Sequence, residues 1–307
     1  MSAPRRPPRR RVDGVLLLDK SIGMTSNAAL QTARRLYNAA KAGHTGTLDP
    51  LATGLLPLCF GEATKFAGEL LDADKAYDAV IKLGVTTQTA DAEGEVREVR
   101  PVQVSDDQVA AVLASFKGEI LQVPPMHSAL KRDGKPLYEY ARQGIELERV
   151  PRRVTIHDIR MLDLNGDLLS ISVDCSKGTY IRTLAEDIGA SLGCGAHLAA
   201  LRRTRIGSLV LNQTMTLAQI EASSGDERDA LLAPVDSLLD RLPCADLDAS
   251  SAERLNHGQS VRWTGIPGRF RVYHEATFLG LCELDDEGWL TPRRLVANVP
   301  KNEGPNS

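Results

Sequence analysis

Residues 43–54, GHTGTLDPLATG, constrain this chain more than any other segment. They set a single carboxylate, Asp49, among glycines, small hydroxyl residues and apolar residues, and the next acid is Glu62. Pro50 biases Asp49 toward extended backbone and away from the helical region. Gly43, Gly46 and Gly54 suit tight backbone or a large partner lying close. An acid held this way, with His44 nearby, can act as a nucleophile or a general base. The same letters also fit a surface loop in which Asp-Pro begins a turn.

Around this segment helices and strands alternate without a regular βαβ rhythm. Residues 26–37 fit a helix with Leu30, Ala33 and Tyr37 on one face. Residues 76–83 alternate, so that Tyr77, Ala79, Ile81 and Leu83 share a face. Ser105 caps a helix and Gln108 completes a capping box; Val109, Val112, Leu113 and Phe116 form its stripe, and Gly118 ends it. Leu169, Ile171, Val173 and Cys175 alternate with Ser170, Ser172 and Asp174, a strand with one wet face. That strand runs through residues 177–180, KGTY, into a helix with Ile181, Leu184, Ala185, Ile188 and Leu192 inward, stopped by Gly193. Past a Pro/Asp-rich junction near Pro243 come short strands. Phe270 and Val272 alternate, as do Phe278, Gly280 and Cys282, and residues 286–288 turn the chain into Trp289. This predicts a small separate β domain. Pattern alone gives an α+β fold.

A chain of 307 residues suits one large domain or two. The net charge of −3 argues only weakly against a nucleic-acid partner, because phosphate contacts need a local basic surface. Arginines cluster at Arg5, Arg6, Arg9, Arg10 and Arg11, at Arg149, Arg152 and Arg153, and at Arg202, Arg203 and Arg205. Each cluster equally fits a solvated face or a loose end. Five scattered cysteines with no C-x-x-C pair indicate neither a disulfide frame nor a zinc site. No glycine-rich nucleotide motif or metal-ligand spacing stands out, so no cofactor and no metal are expected. The N-terminus is basic but lacks an apolar signal core, and no apolar run spans a bilayer, so the expected location is the cytoplasm.

The run 43–66, GHTGTLDPLATGLLPLCFGEATKF, closely resembles the signature of TruB-type tRNA pseudouridine synthases. Further blocks follow that family's order: 14–20 (GVLLLDK), 76–77, 88–91, 124–131 (PPMHSALK), 137–144 (LYEYARQG), 175–182 and 192–203. The resemblance spans about residues 11 to 298. It implies a pseudouridine synthase fold, α+β around a mixed, mainly antiparallel sheet, followed by a small PUA-like RNA-binding module. It implies a basic, loose tail at 1–11, a catalytic domain at 12–242 with an RNA-clamping insertion near 124–152, the PUA-like domain at 243–300 and a tail at 301–307. It also implies an RNA partner, the T-arm stem-loop of tRNA, met by a monomer away from any membrane.

Pseudouridylation breaks the N-glycosidic bond of a uridine, turns the base and rejoins it through carbon. The base must leave the helical stack. The family's nucleophile falls on Asp49, which can attack C1′ of the ribose, attack C6 of the ring, or assist departure of the base to leave the ribose as a glycal. Tyr77, read from the pattern as a half-buried strand aromatic, is placed by the resemblance in the site, where a ring stacks on uracil and a phenol can transfer protons. The resemblance pairs Arg182 with Asp49 and has Tyr180 line the base pocket; without it they read as a helix start with an exposed arginine. A nearby cation lowers a carboxyl pKa, which suits a nucleophile. His44 is implied to fill the space of the flipped base, and Leu201 to face the base. Lys20 and Lys65 are candidate phosphate or supporting contacts. Ser21 and His127 depart from the family's usual residues, a proline and an aromatic.

The leading expectation is isomerisation of uridine-55 in tRNA. The alternatives are the same chemistry on another RNA, or an RNA-binding or RNA-folding protein that keeps the fold. An aspartate-nucleophile hydrolase fits less well, for want of a second acid or metal motif.

Overall fold

The structure, a computed structural model, describes residues 8–128 and 130–297. Residues 1–7 of the basic end and the tail at 301–307 lie outside the described residues.

A nine-stranded sheet frames the larger part. Its main path runs Gly14–Lys20, Ala52–Phe60, Ala196–Ile206, Lys75–Leu83, Leu168–Cys175, Arg152–Asn165 and Gly118–Gln122. Neighbours are antiparallel except Ala196–Ile206 and Ala52–Phe60, which run parallel. The sheet is therefore mixed and mainly antiparallel, as expected. The parallel junction matters for chemistry. It sets the strand that follows Asp49 beside the strand carrying Leu201 and Arg203, whose other neighbour carries Tyr77.

Local signals place the helices. Thr25 caps Ser26–Leu36 by accepting from the Ala28 N–H. Leu30, Ala33 and the following Tyr37 are buried against the sheet. Both halves of the Ser105–Gln108 capping box are present on Asp106–Ser115. Gly118 does not cap that helix, which ends at Ser115; it opens the strand Gly118–Gln122. The helix Ile181–Ser191 packs Ile181, Leu184, Ala185 and Ile188 into the main core, alongside Tyr77, Ala79, Ile81 and Leu83 of the alternating strand.

The C-terminal part is a five-stranded sheet in the order Cys244–Asp246, Gly268–His274, Thr277–Leu284, Trp289–Leu295 and Val261–Arg262. Its own core includes Leu255, Val272, Cys282 and Leu290. A further apolar cluster joins it to the larger part: Phe66, Leu70, Leu238 and Leu239 pack with Leu281 and Phe278. The Phe66 and Phe278 rings meet edge-on at 5.5 Å. Polar contacts reinforce this junction, since Lys65 Nζ donates to the Leu295 carbonyl and the Ala297 N–H to Glu62.

Arg10, expected in a loose tail, is tied into the fold. Its backbone bonds Asn38 and Ala40, and its guanidinium donates to the Tyr37 carbonyl and to Asp229.

Candidate active site

The Asp49 loop is held from several directions. Ser26, the first helical residue and 2% exposed, donates through Oγ to the Leu48 carbonyl and accepts from the Leu48 N–H. The Gly23 N–H donates to the Pro50 carbonyl, the Thr45 N–H to the Pro57 carbonyl, and the Ala52 N–H back to the Asp49 carbonyl. Asp49 is thereby pinned on both sides by backbone. Gly54, at φ +97°, closes the arrangement: a Cβ there would lie 2.4 Å from the Arg203 carbonyl oxygen, so only glycine lets the parallel strands meet.

Arg182 enters from the start of Ile181–Ser191. The sequence pattern alone leaves it exposed, yet it is buried. Its Nη2 lies 3.0 Å from Asp49 Oδ2 and donates to the His127 carbonyl at 2.7 Å. Nη1 lies 3.5 Å from Asp91 Oδ2. Asp91, 3% exposed, is itself held by the Thr89 hydroxyl and the Glu93 N–H. One guanidinium therefore spans two carboxylates, one buried and one, Asp49, with a side chain 42% exposed.

Arg182 pulls the Asp49 pKa down, as the pairing implies. Burial is the larger influence, and Asp91 adds to it, so the carboxyl is held above its ordinary value despite Arg182 and Lys20 pulling down. Arg182 limits a shift that burial would otherwise enlarge.

Tyr77 is 8% exposed, and burial pushes its phenol up while the Arg203 guanidinium opposes. Tyr180 begins the Arg182 helix. Its N–H donates to Gln122 Oε1 and its carbonyl accepts from Gln122 Nε2, so a buried glutamine fixes the backbone next to Arg182. Burial raises the Tyr180 phenol, with the Ser128 hydroxyl opposing. Leu201 is only partly buried, pairs in register with Ala79 and Ala52, and its carbonyl accepts from Thr53 Oγ1. His44 bonds the Gly46 carbonyl through Nδ1, and burial holds its imidazole below the usual range, favouring the neutral form.

The two lysines stand differently. Lys20 is fully buried, donates to the Ser21 and Met24 carbonyls, and is pushed down to about 8, chiefly by burial. It therefore faces the turn before Ser26–Leu36 and not solvent, while its charge bears on Asp49. Lys65 is tied to Glu62 and the Leu295 carbonyl, at the junction with the C-terminal sheet and not with the Asp49 group.

Most clustered arginines are already engaged. Arg202 pairs with Asp19, Arg205 with Asp174, Arg149 with Glu146 and Arg153 with Glu119. Arg203 is buried. Arg152 is exposed, bears on the Tyr180 phenol and has no carboxylate partner among the described residues. Three residues at the site went unassigned in the sequence: Asp91, Gln122 and Arg203. Asp91 lay within the 88–91 block, which was its only signal.

Among the described residues, no three His, Cys, Asp or Glu side chains gather as a metal site, and no helix is long and apolar enough to cross a membrane. Two surface depressions lie on the C-terminal part, one beside His257 and His274 and another beside Arg262 and Trp263. Neither includes a residue of the Asp49 group.

The fold and site define an α+β protein that presents an arginine-backed aspartate on a glycine-rich loop beside buried aromatics. A family model described as the TruB family pseudouridylate synthase N-terminal domain matches residues 34–181. A tRNA pseudouridylate synthase B C-terminal domain matches 182–240, and a pseudouridine synthase II TruB C-terminal model matches 243–296. The chain is 60% identical to a protein of Aromatoleum aromaticum named tRNA pseudouridine synthase B, over 96% of both chains. It is also 60% identical to the protein of that name from Dechloromonas aromatica, over 94% of this chain and 96% of the other. Among solved structures, a Cbf5-Nop10-Gar1 complex contains a chain with TM-score 0.70 and 27% identity, covering 91% of this chain and 80% of that one. The chain belongs to the TruB family of pseudouridylate synthases.

Proposed function

We propose that this enzyme converts uridine-55 in the T-arm of tRNA to pseudouridine, with Asp49 as the reacting carboxylate. The observation that carries the proposal is Asp49 on its pinned loop, 3.0 Å from a buried Arg182. Relatives at 60% identity that are named tRNA pseudouridine synthase B support tRNA as the substrate. The flipped uracil lies between Tyr77, Tyr180 and Leu201, and His44 at the loop rim occupies the gap left in the RNA. Attack at C1′, attack at C6 and glycal formation all need an ionised Asp49, and Arg182 opposes the burial that would neutralise it. The uracil is released, turned and rejoined within the same pocket, so atoms balance without a co-reactant. The enzyme works as a monomer in the cytoplasm, and residues 243–297 act as the PUA-like RNA-binding module.

The test is tritium release from 5-tritiated uridine in a tRNA transcript, beside a transcript carrying cytidine at position 55. Wild type releases tritium from the first at that position and not from the second. Asp49→Asn binds the transcript and releases none. Turnover of Asp49→Asn within a few-fold of wild type overturns Asp49, and undiminished release from the cytidine-55 transcript overturns the site.

A further inference from the structure

We propose that Arg203 is a positioning residue, holding the Tyr77 hydroxyl for catalysis from beneath the Asp49 loop. Three observations converge on it. Arg203 and Tyr77 are direct cross-strand partners on antiparallel strands, so their side chains leave the sheet on the same face. Arg203 is 2% exposed and faces no carboxylate within ion-pair distance among the described residues, although Arg202 and Arg205 beside it each have one. Its Nε donates to the Leu55 carbonyl at 2.8 Å, while Nη2, fully buried, has no hydrogen-bond partner.

A buried cation without a counter-charge is costly, and replacing such a group with an apolar side chain of similar volume is often neutral or stabilising. Retention of the charge at this place therefore points to work on a neighbour. Tyr77, its register partner, is the group that bears on this charge, and burial keeps the phenol neutral. A guanidinium beside the phenol favours a phenol O–H turned away from Arg203 and toward the base, and Nη2 is a donor free to meet the phenol oxygen. The unused Nη2 donor leaves capacity to tighten that hold as negative charge gathers on the phenol oxygen during proton transfer. Gly46 lies over the guanidinium, with its ideal Cβ position 3.8 Å from Nη1, so the group sits directly under the catalytic loop.

The inference rests on the proposed reading of the Asp49 site, and one double-mutant cycle separates the two. Wild type, Asp49→Asn, Tyr77→Phe, Arg203→Met, Arg203→Lys and Tyr77→Phe/Arg203→Met are compared as full-length chains. The readouts are single-turnover rate at saturating enzyme across pH, transcript affinity and melting temperature. Arg203→Met is expected to slow the reaction by about 100-fold, within the range of general acid–base contributions, with affinity little changed. Its melting temperature should hold or rise. The double variant should be no slower than Tyr77→Phe alone, because both remove the same function. Additive losses, an unimpaired Tyr77→Phe, or Arg203→Met within threefold of wild type each overturn the proposal. If Arg203→Met fails to fold, Arg203→Lys decides: an alkaline limb displaced from wild type supports the proposal, and a superimposable profile refutes it. An inactive Asp49→Asn in the same series shows that the reading of the site stands while Arg203 is judged.

Discussion

Arg182 Nη2 sits 3.0 Å from Asp49 Oδ2, in direct contact with a carboxylate that burial is pushing toward its neutral form. Because Asp49 has a raised pKa in the fold, its ionised fraction is lost as pH falls through that raised value. Removing Arg182 removes the largest opposing influence. Arg182→Met should therefore move the acid limb of the single-turnover pH profile to higher pH and lower the plateau by about 100-fold or more, equivalent to roughly 1.4 kcal/mol per tenfold. Transcript affinity should change far less. A normal plateau with only a shifted binding midpoint would assign Arg182 to phosphate contact instead.

Asp91 is buried at 3% exposure on the far side of the same guanidinium. Asp91→Asn keeps the shape, and its amide oxygen can still accept from Thr89 and the Glu93 N–H. It removes one of two charges compensating Arg182, so thermal unfolding should come earlier, by about 1–3 kcal/mol since Asp49 remains as a partner. The Asp49 pKa should fall, because Asp91 repels its charge, and the acid limb should move to lower pH. A limb that stays in place would show that the two carboxylates are not coupled.

Much of this was legible in the sequence, and the exceptions have physical causes. The Ser105–Gln108 box and the alternation from Tyr77 to Leu83 act over a few residues, so neighbours in sequence suffice to read them. Asp49 stood out because nothing acidic surrounds it. Arg182 was different: its partners are Asp49, Asp91 and the Thr89 and His127 carbonyls, which no local pattern connects to it. Arg203 hid inside a run of arginines that reads as a basic surface. A bulge between Arg203 and Arg205 breaks the period-two pattern that would have marked it as inward. The C-terminal junction was hidden likewise, since Phe66 and Phe278 are far apart in sequence.

That junction changes what truncation should do. A chain ending near Pro243 would be expected to remain folded if the C-terminal sheet were an independent module. The structure instead buries Phe66 at 1% exposure in a cluster shared with Phe278 and Leu281. Truncation should expose that cluster and give a poorly soluble or early-melting protein. Phe66→Ala in the full chain should cost about 3–5 kcal/mol in urea unfolding. A truncated chain melting with the full-length protein would show that the shared cluster contributes little.

Pairing also decides which arginines can act on RNA. Arg205 faces Asp174 and Arg202 faces Asp19, so each brings a neighbouring negative charge to any phosphate it meets. Arg152 brings none among the described residues and lies close enough to bear on the Tyr180 phenol at the site. Transcript affinity should fall with salt despite the net charge of −3, because counterion release depends on local contacts. Arg152→Ala should reduce the slope of log K against log salt by about 0.7–0.9, the loss of one phosphate contact. Arg205→Ala should leave that slope nearly unchanged, because Asp174 already neutralises it. Titrations at several salt concentrations, with binding measured on the same transcript, distinguish the two arginines. Equal slope changes would mean that RNA displaces Asp174, and an unchanged slope in Arg152→Ala would remove Arg152 from the RNA contact surface.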